Sequence, residues 1–419
     1  MYKRYTLENG LRVVTEYIPF VKSVSIGVWI EAGSKHENTI NNGISHFIEH
    51  MVFKGTDKRT AKDIADIIDS VGGQINAFTS KECTCYYTKV LDSHYDLAID
   101  LLSDMLFNSK FDPIEIEKER SVILEEINMY EDSPEDLVHD ILSQTLFKNN
   151  SLGMPILGTE DTLHNIDREM ILQYMDEYYV SNNAVLSIAG NFDEKKLLET
   201  INDKFSTWSN NNNLNKAYET INYNFEVVSK YKEIEQTHLC IGFKGAELDS
   251  NDVYPLLILN NVLGGSMSSK LFQSVREERG LAYSIYSYPS IYKNGGSLVI
   301  YAGTNPNQVE EVTKIIYNEI KDIISNSLSE DEINKSKEQL KGNYILGLES
   351  TSSRMTSIGK SELLRNRIYS QKEIIDKIDS VNSADIQRVI QRIFKLDEVT
   401  ITTVSKDNII KTIKNIFEL

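Results

Sequence analysis

Two histidines and a glutamate in the run Gly43-Ile44-Ser45-His46-Phe47-Ile48-Glu49-His50-Met51 are the residues of this 419-residue chain best suited to chemistry. At about 100° per residue, His46 and His50 lie one helical turn apart with Glu49 beside them, so the three share a face. Two neutral imidazoles placed in this way can bind Zn²⁺ while the carboxylate reaches a neighbouring water, which is the chemistry of metal-assisted hydrolysis. The alternative is three polar residues on a solvated helix face. The flanking Ile44, Phe47, Ile48, Met51, Val52 and Phe53 argue against it, because they make the helix apolar nearly all round and hence buried. Buried His and Glu need partners, and H-x-x-E-H is a known metallopeptidase signature.

A catalytic zinc needs a third protein ligand. Asp112-Pro113-Ile114-Glu115 reads as an N-cap, an N1 proline and a capping-box acid, so a helix is expected to start there and run through Glu119 and Glu126. These two acids are seven residues apart and return to one face, alongside Val122 and Ile123. Spacing leaves two readings open: an acid pair near a cation, or an acid-rich helix start that compensates the macrodipole.

With these residues in view, the chain resembles the pitrilysin and insulinase family of zinc metallopeptidases, which includes the mitochondrial processing peptidases, and especially its short two-domain members. The resemblance runs over nearly the whole length. It covers Leu7 to Val13, Gly33-Ser34-Lys35-His36-Glu37, His46 to Thr56, Gly72 to Thr79, Glu119 to Glu126 and Leu157-Gly158-Thr159, then Gly264 to Phe272 and Arg276 to Tyr283. It implies one Zn²⁺ per chain on His46, His50 and Glu126, with Glu49 as general base and Glu119 as a supporting acid. It also implies that Asn76, Ala77, Phe78 and Thr79 form an edge strand that pairs with a peptide substrate. Arg276 and Tyr283 match residues that the family's second domain sends to the active site, where they would hydrogen-bond the substrate carbonyl and the oxyanion. By spacing alone those two read as a surface helix residue and a strand aromatic.

Composition bounds the function classes. The net charge of −18 argues against a nucleic-acid partner, since phosphate backbones need clustered Lys and Arg. No stretch of about 18 consecutive apolar residues occurs, so no transmembrane helix is expected. Met1 to Tyr5 leads into a strand without a signal-peptide core, and a cytoplasmic location is expected. Cys83, Cys85 and Cys240 form no disulfide framework and read as small buried thiols, with a two-cysteine metal site at Cys83 and Cys85 as the alternative. His36, His94, His139, His164 and His238 show no ligand spacing and read as structural or surface residues.

The elements that must position these groups follow an α+β pattern. Asn9-Gly10 marks a hairpin, and the alternation over Ser23–Ile30 predicts a strand with one buried face. Ile75 to Val90 is β-patterned, and Tyr95 to Phe107 is an amphipathic helix. Ile241 to Gly245 and Ser297 to Ala302 read as strands, and Gln308 to Ile324 as a helix, so the second half repeats the order of the first. Asn260 to Leu263 falls where the zinc helix recurs and carries no H-x-x-E-H. The expected domains are therefore residues 1–208, catalytic and zinc-binding, and residues 223–419, homologous but without the motif. A polar linker at 209–222 joins them, and the two similar halves are expected to be mainly antiparallel sheets with helices around a peptide-binding cavity. The function implied is a zinc endopeptidase acting on peptides or unfolded segments, alone, as a homodimer or with a homologous subunit. The rival reading is a non-catalytic scaffold or partner subunit.

Overall fold

A computed structural model describes residues 2–214 and 219–419. They form two compact units, each built on one sheet.

The first sheet contains β1 (Tyr2–Thr6), β2 (Arg12–Tyr17), β3 (Ser23–Ile30), β4 (Gln74–Thr79), β5 (Thr84–Leu91) and β6 (Ala184–Gly190), in the order β1-β2-β6-β3-β5-β4. Neighbours are antiparallel except β2 and β6. The β1–β2 hairpin turns at Asn9-Gly10, where Gly10 has φ +92°. The β-patterned run from Ile75 is a hairpin, β4 and β5, broken at Ser80–Cys83.

On β3, Val24, Ile26, Val28 and Ile30 join the core under the helices, as the alternation predicts. The other face is buried too, which differs from the expectation of one buried face. Ser25 Oγ lies 2.9 Å from Thr351 Oγ1, a Cβ on Gly27 would strike Met355, and Trp29 packs against Gly359. The small residues between the aliphatic ones therefore make room for the helix Thr351–Arg365.

The second sheet contains β7 (Val227–Tyr231), β8 (Thr237–Lys244), β9 (Ala282–Tyr292), β10 (Gly295–Thr304) and β11 (Val399–Ser405), in the order β7-β11-β8-β10-β9. Only β7 and β11 are parallel. This is the first sheet's pattern without β1, so the internal repeat holds. In the repeat, the helix Val253–Leu263 occupies the place of the helix Ile44–Val52. Gly242 on β8 corresponds to Gly27 on β3. It too faces a helix, Pro134–Leu146, through Leu142. Thr402 Oγ1 donates to Val138 O at 3.1 Å on the same face.

The units do not follow the serial division expected from sequence. The first comprises Met1–Asn128, Met154–Ala217 and Leu346–Ser370, and the second Met129–Gly153, Tyr218–Ile345 and Gln371–Leu419. Each sheet takes the helix that covers its small-residue face from the other half of the sequence. Of the stretch expected as a linker at 209–222, Ser209 and Asn211 bond to Ser181 and Asn182 in the first unit. Ile221 packs beside Phe147 in the second, and residues 215–218 lie outside the described residues. Among the described residues no helix is long and apolar enough to cross a membrane.

Candidate metal centre

The helix Ile44–Val52 begins at Gly43, whose φ of +95° favours glycine. A Cβ there would also lie 2.7 Å from Leu157 O, so no larger residue fits. Gly43 has no side chain with which to cap the helix, and Glu37 does so instead. Its Oε2 accepts from Gly43 N (2.7 Å) and Asn42 Nδ2 (2.8 Å), and its Oε1 from Ser45 N (2.9 Å). Burial pushes the Glu37 carboxyl upward, and these donors pull it back. Ile44, Phe47, Ile48, Met51 and Val52 are buried in the core, which fixes the rotation of the helix and turns His46, Glu49 and His50 to one side.

The second element is the helix Pro113–Asp132, where Ile114 N donates to Asp112 Oδ1 at 2.8 Å. The capping-box acid expected at Glu115 instead pairs with Lys118 at 2.6 Å. Arg120 locks this helix in place, with its guanidinium bonded to the carbonyls of Leu163 and Ile166 and lying 5.6 Å from the centre of the Phe47 ring. Glu119 and Glu126 then face the histidines.

His46 Nε2 and His50 Nε2 each lie 3.7 Å from Glu126 Oε2, and the three donor atoms sit within 4.8 Å of one another. A separation of 3.7 Å is too long for a hydrogen bond. It is close to the ~3.3 Å between neighbouring ligands on a tetrahedral ion with bonds of about 2.0 Å. Two imidazoles and a carboxylate form a donor set that catalytic zinc uses, so the residues fit the ion. Burial, and then the neighbouring His50, push the His46 imidazole down to about 3, which keeps it in the neutral form that ligates.

Glu119 is buried between His50 and Lys54. Its Oε2 lies 3.1 Å from His50 Nδ1 and its Oε1 2.6 Å from Lys54 Nζ. The contact fixes the His50 ring with Nε2 towards Glu126. His46 has no such support: its Nδ1 is buried and makes no hydrogen bond among the described residues. Glu49 Oε2 accepts from Thr79 Oγ1 at 2.5 Å. Burial pushes the Glu49 carboxyl upward, opposed by Thr79 and His50 and assisted by Glu126.

Thr79 is the last residue of β4, which pairs with β5 on one side and with no strand on the other among the described residues. Ile75, Ala77 and Thr79 face the helices, whereas Asn76 and Phe78 are on the more exposed face. The Ala77 N–H donates to Asn76 Oδ1 at 2.8 Å. Arg276 and Tyr283 belong to the second unit and are brought together there. The Arg276 guanidinium lies 4.8 Å from the Phe272 ring centre and 5.0 Å from that of Tyr283, which is 79% exposed.

Sequence reasoning missed three contacts: the Glu37 cap, Lys54 on Glu119, and Thr79 on Glu49. Only Lys54 carried a local signal, four residues after His50. The three cysteines are buried and free, and burial pushes their thiols upward. No second candidate metal group occurs among the described residues.

The site offers a three-residue donor set for a metal ion, and comparison with known proteins gives the family of the chain. Residues 12–160 match the family model described as Insulinase (Peptidase family M16), and residues 165–340 the one described as Peptidase M16 inactive domain. The chain belongs to this family. It is 47% identical over 397 residues to an uncharacterized zinc protease, YmxG, of Bacillus subtilis, covering 95% of this chain and 97% of the relative. A zinc protease of Streptomyces coelicolor is 40% identical over 394 residues, covering 92% and 86%. The fold is shared with a protease from Helicobacter pylori, at a TM-score of 0.90 and 23% identity over 97% of this chain and 99% of that one. It is shared also with a chain of Complex III2 from Candida albicans, at 0.85 and 21% over 99% of each.

Proposed function

We propose that the chain is a zinc-dependent endopeptidase cutting peptides or unfolded polypeptide segments, with one Zn²⁺ held by His46, His50 and Glu126. The observation that carries this reading is the convergence of both Nε2 atoms on Glu126 Oε2 at 3.7 Å, with the Glu49 carboxylate alongside. A zinc ion held there would polarise the scissile carbonyl and lower the pKa of a neighbouring water. Glu49 takes the proton from that water on the oxygen not engaged by Thr79, and returns it to the leaving amine. Burial raises the Glu49 carboxyl, which makes it a better proton acceptor than a solvated glutamate.

Glu119 holds His50 in the tautomer that ligates through Nε2. The open edge of β4 at Asn76–Thr79 pairs with an extended peptide backbone whatever its side chains, which gives broad specificity. Arg276 and Tyr283 hydrogen-bond the substrate carbonyl and the oxyanion. Three free thiols fit a reducing compartment, and we infer a cytoplasmic location.

The second reading is a non-catalytic subunit of a complex with a homologous chain. It is favoured by the likeness to a chain of Complex III2 and by the match of residues 165–340 to a domain described as inactive. Cleavage of a pool of quenched fluorescent peptides by wild type and Glu49→Gln, each with its zinc content measured, separates the two. Wild type is expected to cleave, and Glu49→Gln to keep zinc while losing at least about 100-fold in turnover. If both hold zinc and neither cleaves, the subunit reading takes over.

A further inference from the structure

The amino end of the 44–52 helix is held in a way that helix stability does not require. A serine or aspartate at the cap position would satisfy its first N–H groups. Here that position is a glycine forced by Leu157 and Gly158, and a fully buried carboxylate six residues upstream is used instead. Burying a carboxylate is unfavourable unless several donors surround it, and Glu37 has three within 2.9 Å.

The segment that carries Glu37 is itself clamped to the end of β4. A Cβ on Gly33 would run into Ser80 O, Ser34 N donates to Ser80 O (3.3 Å), and Lys35 N to Lys81 O (2.7 Å). The Lys35 ammonium meets Glu82 Oε1 at 2.6 Å in a buried ion pair. The contacts close on themselves: Glu37 to the helix amino end, the helix to Glu49, Glu49 to Thr79, Thr79 through the Ser80–Glu82 turn to Lys35, and Lys35 back to Glu37. The repeat provides an internal comparison. The 253–263 helix has no metal-binding residues, and its cap residue Asp252 makes no side-chain cap bond, its carboxylate going to Arg388 and Arg392.

We propose that Glu37 is a positioning residue of the metal centre, closing a ring of contacts that sets the height of the 44–52 helix, whose rotation the core fixes, and so brings His46, Glu49 and His50 level with Glu126. This rests on the zinc reading given above. The ring makes the placement of β4 and that of the metal-binding helix interdependent.

The test is zinc affinity, measured by competition with a chromophoric chelator, beside the thermal unfolding of the apo protein and the kcat and KM of peptide cleavage. Wild type is measured first, and a failure to hold zinc would sink the metal reading itself. Given zinc on wild type, Glu37→Gln is expected to bind it about tenfold or more weakly, with kcat lowered and KM little changed. Asn42→Ala, which removes one donor to Glu37, is expected to weaken zinc about threefold. A lowered unfolding temperature with zinc affinity unchanged would make Glu37 a plain stability residue and overturn the proposal. If Glu37→Gln does not fold, the affinity of Asn42→Ala decides in the same two directions.

Discussion

Thr79 Oγ1 donates to Glu49 Oε2 at 2.5 Å, so the last residue of the open edge strand holds one oxygen of the carboxylate proposed as general base. Thr79→Val keeps the shape and removes the donor. We expect it to lower kcat about tenfold with KM nearly unchanged, whereas Thr79→Ser stays within about twofold of wild type. Steady-state kinetics on one fluorescent peptide checks this, and equal losses in both variants would remove Thr79 from the mechanism.

The Glu119 carboxylate lies between His50 Nδ1 and the Lys54 ammonium. Glu119→Gln removes the charge that holds the His50 tautomer and leaves the Lys54 ammonium without its carboxylate. Zinc affinity is expected to fall about 10- to 100-fold, measured by chelator competition. Unchanged affinity would show that Glu119 serves only to pair Lys54.

Two glycines at the face covered by the 351–365 helix differ in what surrounds them. At Gly359 an added methyl meets the Trp29 ring, which is locked by a 2.8 Å bond from its Nε1 to Ser187 Oγ. At Gly27 its closest contact is the Met355 thioether, which can swing aside, and Trp29 Nε1 is farther off, at 3.0 Å rather than the 2.2 Å at Gly359. Gly359→Ala is expected to destabilise by about 2–3 kcal/mol and Gly27→Ala by about 1 or less, measured by urea unfolding. The reverse ranking would mean that Trp29 is the mobile partner.

His139 lies inside the second unit, with Nδ1 2.8 Å from Tyr288 OH and Nε2 3.2 Å from Tyr286 OH. Burial holds its imidazole below the ordinary range, against the upward pull of Glu135 and Asp136, and His238 adds to the lowering. The unfolded chain then takes up the proton first, so stability is complete above about pH 6.5 and declines as pH falls below it. Apo protein is expected to unfold at lower urea at pH 5.5 than at pH 7.5. His139→Gln should flatten that dependence, and an unaltered slope would assign the effect to other groups.

Much of this was legible because it is local. The 3.6-residue period places His46, Glu49 and His50 together, and the seven-residue step places Glu119 with Glu126; the structure brings the donor atoms of His46, His50 and Glu126 to one point. Asp112-Pro113 starts its helix as read, and Asn9-Gly10 turns its hairpin. What was not legible is non-local. Glu37 looks like any acid in a loop, since nothing near it in sequence shows that Gly43 leaves a helix uncapped. The helices at 134–146 and 351–365 were not read from sequence, and nothing local to either says which sheet it meets. The compact units differ from the serial division at 209–222 for that reason.

The Leu346–Ser370 segment also dictates an order of events during synthesis. Residues 346–370 must be synthesised before the face of β3 bearing Ser25, Gly27 and Trp29 can receive its cover. Until then the nascent first sheet has one bare side, the kind of surface that chaperones bind and that aggregates. A fragment ending near residue 208 would keep that bare side permanently, so the first unit can be made on its own only if the 346–370 segment is supplied with it.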